Sequence, residues 1–315
     1  MIQTVVSASL PVLERLEIKK NRIESGSKEH KKRISIVTGI HGDELEGQYV
    51  CYELIKRLKE NIKQLDGIVD VYPAMNPLGI DSITRGIPAF DLDMNRVFPG
   101  NEEGSMTEYC AAKIIEDLVG SDMVIDIHAS NIFLTEIPQV RINELHREKL
   151  VPWAEKLNID LIWVHGSSTV LESTLAYSLN SRNTPTLVVE MGVGMRLTKA
   201  YCEQLVDGIF NLLKEMNMWH GMVKEPRTPM YAQKEDEVCF LNAPTAGIFI
   251  SKAKHGDFLK QGEEIGSIVD PLRGEQLEKI TAPVDGVLFT IREYPVVDEG
   301  SLIARILKKE REQRS

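Results

Sequence analysis

The stretch Ile34-Ser35-Ile36-Val37-Thr38-Gly39-Ile40-His41-Gly42-Asp43-Glu44 decides how the chain is read. Its first half is a short Ile/Val-rich run of the kind that forms a buried strand. Immediately after Glu44, apolar residues at Leu45, Tyr49, Leu54 and Leu58 alternate with charged ones at helical spacing. A strand therefore runs into a helix through a glycine-rich turn that carries a His and a Glu three residues apart. Two such groups on a tight turn can converge on one cation, because the flanking glycines let the backbone bend closely around it. The same residues also suit a plain glycine-rich connection, with a surface His and with Asp43 and Glu44 at the positive end of a helix dipole. The motif alone does not decide between these readings.

Working outward, four further apolar runs read as buried strands: Ile68 to Tyr72, Met123 to Ile127, Leu161 to Val164 and Leu187 to Val189. Helical patterns lie between them at Tyr109 to Leu118, Leu150 to Leu157 and Tyr201 to Met216. Strands alternating with helices predict an α/β fold, a mixed sheet flanked by helices. Ligands in such sheets bind beyond the carboxyl ends of the strands. His41, Asn76, His128, His165 and Glu190 all follow or end a predicted strand, so they are expected at one rim.

After Pro226 the pattern changes. Glu225-Pro226-Arg227-Thr228-Pro229 reads as a linker, and beyond it short β-like pieces alternate with glycine turns. Ala243-Pro244-Thr245-Ala246-Gly247-Ile248 is echoed by Ala282-Pro283-Val284-Asp285-Gly286-Val287, with second glycine turns at Gly262 and Gly300. Such an internal repeat predicts a small all-β barrel-sandwich built by duplication. The expected division is a catalytic domain over 1–225 and a β domain over 226–315, its charged tail from Lys308 to Ser315 frayed.

Composition narrows the function classes. The 315 residues, 43% of them hydrophobic, are enough to bury a core, and a net charge of −10 opposes a polyanionic partner. No nucleic acid and no membrane partner is expected, since no apolar run approaches a membrane span and the N-terminus lacks a signal pattern. The four cysteines, Cys51, Cys110, Cys202 and Cys239, are scattered and read as buried thiols, which predicts a cytoplasmic protein.

Val124-Ile125-Asp126-Ile127-His128 places an Asp and a His on one face of an apolar strand. His128 is a candidate third ligand, with Asp126 behind it. His41, Glu44 and His128 would leave one zinc position for water, as catalytic zinc sites require. Glu190 ends an apolar strand, where desolvation suits a general base; a salt-bridged rim residue is the alternative. Asn95 and Arg96 offer an amide beside a planar fork, which suits a substrate carboxylate, and Arg85 could polarise a scissile carbonyl. On residue type alone these are equally loop salt bridges. His30, His146, His220 and His255 read as solvated, and His165 as either a pocket residue or a structural one.

Taken together, the chain resembles the succinylglutamate desuccinylase/aspartoacylase group of zinc hydrolases, which share the fold of metallocarboxypeptidases. The resemblance rests on His41-Gly42-Asp43-Glu44, Asp126-Ile127-His128, Asn76-Pro77 with Arg85, Asn95-Arg96 with Phe98, and Val189-Glu190-Met191-Gly192. It implies one zinc per chain on His41, Glu44 and His128, with Glu190 and Arg85 catalytic and Asn95 and Arg96 holding substrate. For a second substrate-carboxylate arginine of the group, Arg182 is the candidate and Arg196 the alternative. The C-terminal region resembles a lipoyl or biotinyl carrier fold but departs from a carrier at Lys279, which lies just before Ala282-Pro283 rather than at a hairpin tip. Gly86-Ile87-Pro88-Ala89-Phe90 lengthens the segment between Arg85 and Asn95 and reshapes the pocket wall. The activity implied is zinc-dependent hydrolysis of the amide of a small N-acyl amino acid or N-acyl amine. A metallocarboxypeptidase is the alternative, and an inactive metal-binding scaffold a more remote one. A homodimer is the expectation from symmetry alone.

Overall fold

The computed structural model describes residues 1–26, 31–88, 92–166 and 172–309. His30, part of the pocket-wall segment (residues 89 and 90) and the tail from residue 310 lie outside the described residues. Among the described residues, seventeen strands are formed in chain order. They are β1 (Ile2–Ser9), β2 (Arg15–Ser25), β3 (Arg33–Thr38), β4 (Gly67–Tyr72), β5 (Met123–His128), β6 (Leu134–Asn143), β7 (Leu161–His165), β8 (Thr186–Gly192), β9 (Met230–Ala232), β10 (Val238–Asn242), β11 (Gly247–Ser251), β12 (Phe258–Leu259), β13 (Glu264–Asp270), β14 (Glu275–Thr281), β15 (Gly286–Arg292), β16 (Val296–Val297) and β17 (Leu302–Lys308). The helices are α1 (Glu46–Glu60), α2 (Pro77–Ser82), α3 (Met106–Leu118), α4 (Arg147–Ala154), α5 (Leu175–Asn180) and α6 (Lys199–Glu215).

The strands β4, β3, β5 and β8 lie side by side and parallel, and β2 and β6 flank them antiparallel. All six residues of β5 are buried. Helices cover both of its faces, which is why the central strands read as continuous apolar runs. On one face α1 and α6 pack together over Leu54, Leu58, Leu205 and Ile209. On the other, α3 and the β1–β2 hairpin close over Ile18, Tyr72, Ile114 and Leu118. The predicted mixed sheet flanked by helices is therefore present.

One expectation about the rim fails. β7 is parallel to β6, and β6 is antiparallel to β8, so β7 runs against the central strands. Its carboxyl end, with His165, lies at the opposite end of the sheet from His41, His128 and Glu190. An apolar run announces a strand but carries no sign of its direction.

Beyond the linker, β9 still pairs with β7 at the edge of the main sheet. β11, β13, β14 and β16 form a separate four-stranded sheet, the all-β C-terminal unit that the glycine-punctuated repeat predicts. The two repeats interlock: Gly262 N donates to Ala282 O and Gly300 N to Ala243 O, each at 2.8 Å. Both turn glycines have φ +84°, a left-handed backbone that favours glycine. The unit is fused to the main sheet, because β15 pairs antiparallel with β6 through Thr290 and Glu136. Lys279 sits inside β14 beside Ser267 and contacts Glu264 at 3.6 Å, away from any hairpin tip. β17 ends at Lys308, the first residue of the charged tail.

Candidate metal centre and cavity

His41 leaves β3 on a turn that glycine alone permits. A Cβ on Gly42 would stand 2.0 Å from the carbonyl carbon of Gly79. This close approach folds His41 back over Glu44 at the start of α1, while His128 arrives at the end of β5, one strand over. His41 Nδ1 lies 2.7 Å from Glu44 Oε1 and 3.2 Å from His128 Nδ1, and His128 Nδ1 lies 3.0 Å from Glu44 Oε2. All three side chains are buried.

The arrangement fits a cation. Two imidazole nitrogens facing each other across 3.2 Å repel unless a proton or a positive ion lies between them. Ligand atoms around a tetrahedral zinc with bonds of about 2.0–2.1 Å stand about 3.3 Å apart, close to the spacings here. The far nitrogens also face carboxylates: His41 Nε2 is hydrogen-bonded to Asp93 Oδ1 at 3.1 Å, and His128 Nε2 stands 3.2 Å from Asp126 Oδ1 in an ion-pair contact without hydrogen-bond geometry. A carboxylate on Nε2 fixes the tautomer that leaves Nδ1 as the ligand atom. Asp126 thus stands where the strand alternation put it. No spacing signal in the sequence singles out Asp93.

Burial and the surrounding charges pull the pKa values of these groups in opposite directions. Burial pulls the His41 imidazole down, but the bonds to Asp93 and Glu44 outweigh it and raise its pKa. His128 is likewise desolvated, yet Asp126 and Glu44 carry it well above the ordinary value. Glu44 is pushed up by burial and nevertheless held below the usual carboxylate range by His128 and His41. Asp93 follows the same logic, burial being overcome by His41 and Arg85, and falls to about 2.

A cavity of about 590 Å³ opens over these residues and runs along one face of β8 and β6. Glu190 lies beside His128 in the β5–β8 register and faces this cavity. Burial raises its pKa, with Arg141 and His128 pulling the other way. Arg85, Asn95 and Arg96 also line the cavity. Arg85 Nη1 donates to Glu44 Oε1 at 3.0 Å, and Asn95 Oδ1 accepts from Leu175 N at 2.9 Å. That bond fixes which end of the Asn95 amide carries the oxygen, and its NH2 group is the donor it can offer a ligand. Asn76 stands apart: it caps α2 and donates to Gly86 O.

Arg182 does not join the site. It is exposed, and its Nη1 donates to Ser178 O at the end of α5. Arg196 is exposed as well, and neither lines the cavity. The arginines that do so, besides Arg85 and Arg96, are Arg141 of β6 and Arg305 of β17. A signal for both existed. Each is a charge between two apolar residues, in Val140-Arg141-Ile142 and Ala304-Arg305-Ile306. His165 and His146 also line the cavity, so His146 is not simply a solvated residue.

The fold and this centre define the chain as an α/β protein with a buried His–Glu–His metal-type site under a small-molecule cavity. It belongs to the succinylglutamate desuccinylase/aspartoacylase family, whose catalytic-domain profile matches residues 30–216. It is 27% identical over 278 residues to an N-alpha-acetyl-L-2,4-diaminobutyric acid deacetylase from Halomonas elongata, covering 85% of this chain and 80% of that one. Among solved structures it is similar to the product-bound ectoine utilization protein EutE (DoeB) from Ruegeria pomeroyi. There the TM-score is 0.83 at 17% identity, with 98% of this chain and 95% of that one covered. A succinylglutamate desuccinylase/aspartoacylase from Rhodobacter sphaeroides superposes with TM-score 0.81 at 23% identity, covering 98% of this chain and 96% of that one.

Proposed function

We propose that this chain is a zinc-dependent amidohydrolase that removes the acyl group from a small N-acyl amino acid. The observation that carries the reading is the convergence of His41, Glu44 and His128 on one point, with Glu190 beside His128 in the same cavity. Two nitrogens and a carboxylate are the donor set of a catalytic zinc with one open position. The ion would supply Lewis acidity to the amide carbonyl and would acidify water at that position.

The chain's own residues then divide the work. Glu190 accepts the proton of the attacking water and passes it to the departing amine nitrogen, a role served by its burial. Arg85, anchored on Glu44, places a guanidinium where negative charge develops on the carbonyl oxygen. Arg96 and the Asn95 amide take the substrate carboxylate. Arg141 and Arg305, which also line the cavity, share the single carboxylate of Glu136, and Arg96, 3.9 Å from Asp93, is the guanidinium least engaged by a carboxylate. N-acetylated diamino acids, which the Halomonas elongata relative is named for, are the first candidates.

The test is release of free amine from a panel: N-acetyl-2,4-diaminobutyrate, N-acetylaspartate, N-succinylglutamate and dipeptides with free carboxyl ends. Turnover of the acetyl diamino acid is expected, lost with chelator and reduced about 10²–10⁴-fold in Glu190→Gln while zinc stays bound. Cleavage of dipeptides alone would replace the deacylase reading with a carboxypeptidase.

A further inference from the structure

Beyond the metal centre, a cluster of buried charge lies between β6 and the C-terminal unit. Glu136 of β6 is fully buried. Arg141 Nη2 bridges both of its oxygens, at 3.0 and 2.9 Å. Two groups from beyond the linker take hold of Glu136 Oε1 as well: the Thr290 hydroxyl at 3.1 Å and Arg305 Nη1. Trp163 lies under both guanidinium groups, 5.5 Å from Arg141 and 5.7 Å from Arg305. Arg141 is thereby gripped on its edge by a carboxylate and on its face by an indole, leaving it little freedom. Its second nitrogen, Nη1, stands 3.4 Å from Glu190 Oε1.

We propose that Arg141 is a positioning residue for Glu190, and that the C-terminal β unit sets its position by clamping Glu136 through Arg305 and Thr290. This rests on the reading of Glu190 as the base. A carboxylate at the end of a strand has rotamers to choose from. A fixed guanidinium beside one oxygen selects the one that keeps the other oxygen toward the metal centre. The C-terminal unit, fused to β6 by β15, becomes part of the catalytic apparatus through its hold on Glu136.

The experiment is a double-mutant cycle on the zinc-loaded full chain with the fastest substrate of the panel. It combines Arg141→Met, Arg141→Lys and Arg305→Met, singly and each with Glu190→Gln, and adds crystal structures of the single variants. Arg141→Met is expected to lower kcat about 10–100-fold with KM within about twofold, Arg141→Lys to recover part of the loss, and Arg305→Met to follow in the same direction. In the Glu190→Gln background each change should cost less than about twofold, because a residue that acts only through Glu190 has nothing left to act on. The crystal structures should show Glu190 in one rotamer in the parent and turned or split in the variants. Losses that multiply with Glu190→Gln, an effect on KM alone, or a Glu190 unmoved in the variant crystals would overturn the proposal. Should Arg141→Met fail to fold, Arg141→Lys reads the same coupling. A Glu190→Gln enzyme as fast as the parent would instead remove the base reading itself, and that single variant separates the two failures.

Discussion

His41 and His128 meet Nδ1 to Nδ1, with a carboxylate behind each ring, and the proposed zinc site rests on this pairing. On that proposal Asp93 and Asp126 would set which nitrogen each ring presents to the ion. Asp93→Asn and Asp126→Asn are therefore expected to weaken zinc binding about 10–100-fold, read by competition with a chromophoric chelator. Unchanged affinity would mean that the rings are oriented by packing alone. The raised pKa values of the two imidazoles give a pH dependence of known sign. Below them both rings carry protons that zinc must expel; above them the ligand atoms are already bare. Apparent zinc affinity should rise with pH through that range and level off beyond it, and calorimetry in buffers of different ionisation enthalpy should detect proton release on binding. A flat affinity profile without proton release would contradict the protonated cluster.

At the scale of elements, what the sequence made legible follows from physics. Strands β3, β4, β5, β7 and β8 are buried on both faces, so apolar content alone finds them, and His41, Glu44, His128 and Glu190 come into view at their ends. β6 escaped because Pro138 interrupts it and because Glu136, Gln139 and Arg141 make a buried strand look polar. With it went Arg141 and its partners, which no local pattern links to Arg305 across more than 160 residues of chain. β1 and β2 escaped for another reason: they form a flanking hairpin whose charged residues alternate with apolar ones. The turn after β3 invites a test of its own. Gly42→Ala would drive a Cβ into the backbone of Gly79, displacing His41 and Glu44 together. A loss of about 1–3 kcal/mol in chemical denaturation and substoichiometric zinc are expected. A variant with full zinc content would show that the turn has room to yield.

The whole molecule is more continuous than a linker and a change of pattern at Pro226 suggest. β15 extends the catalytic sheet from β6, β9 extends it from β7, and Arg305 reaches the cavity wall. A fragment of residues 1–225 would bare the edge of β6 and leave Glu136 without Arg305 and Thr290. It is expected to aggregate on expression, and a soluble, zinc-binding fragment with parental activity would show instead that the two parts are independent. All of these expectations lean on one point in space, the meeting of His41, Glu44 and His128. Anomalous diffraction at the zinc edge, on crystals of the protein as purified, examines it directly. The account predicts one strong peak per chain, about 2.0–2.1 Å from His41 Nδ1 and His128 Nδ1 and a similar distance from a Glu44 oxygen. A map with no peak there, or with its metal bound elsewhere, would contradict it.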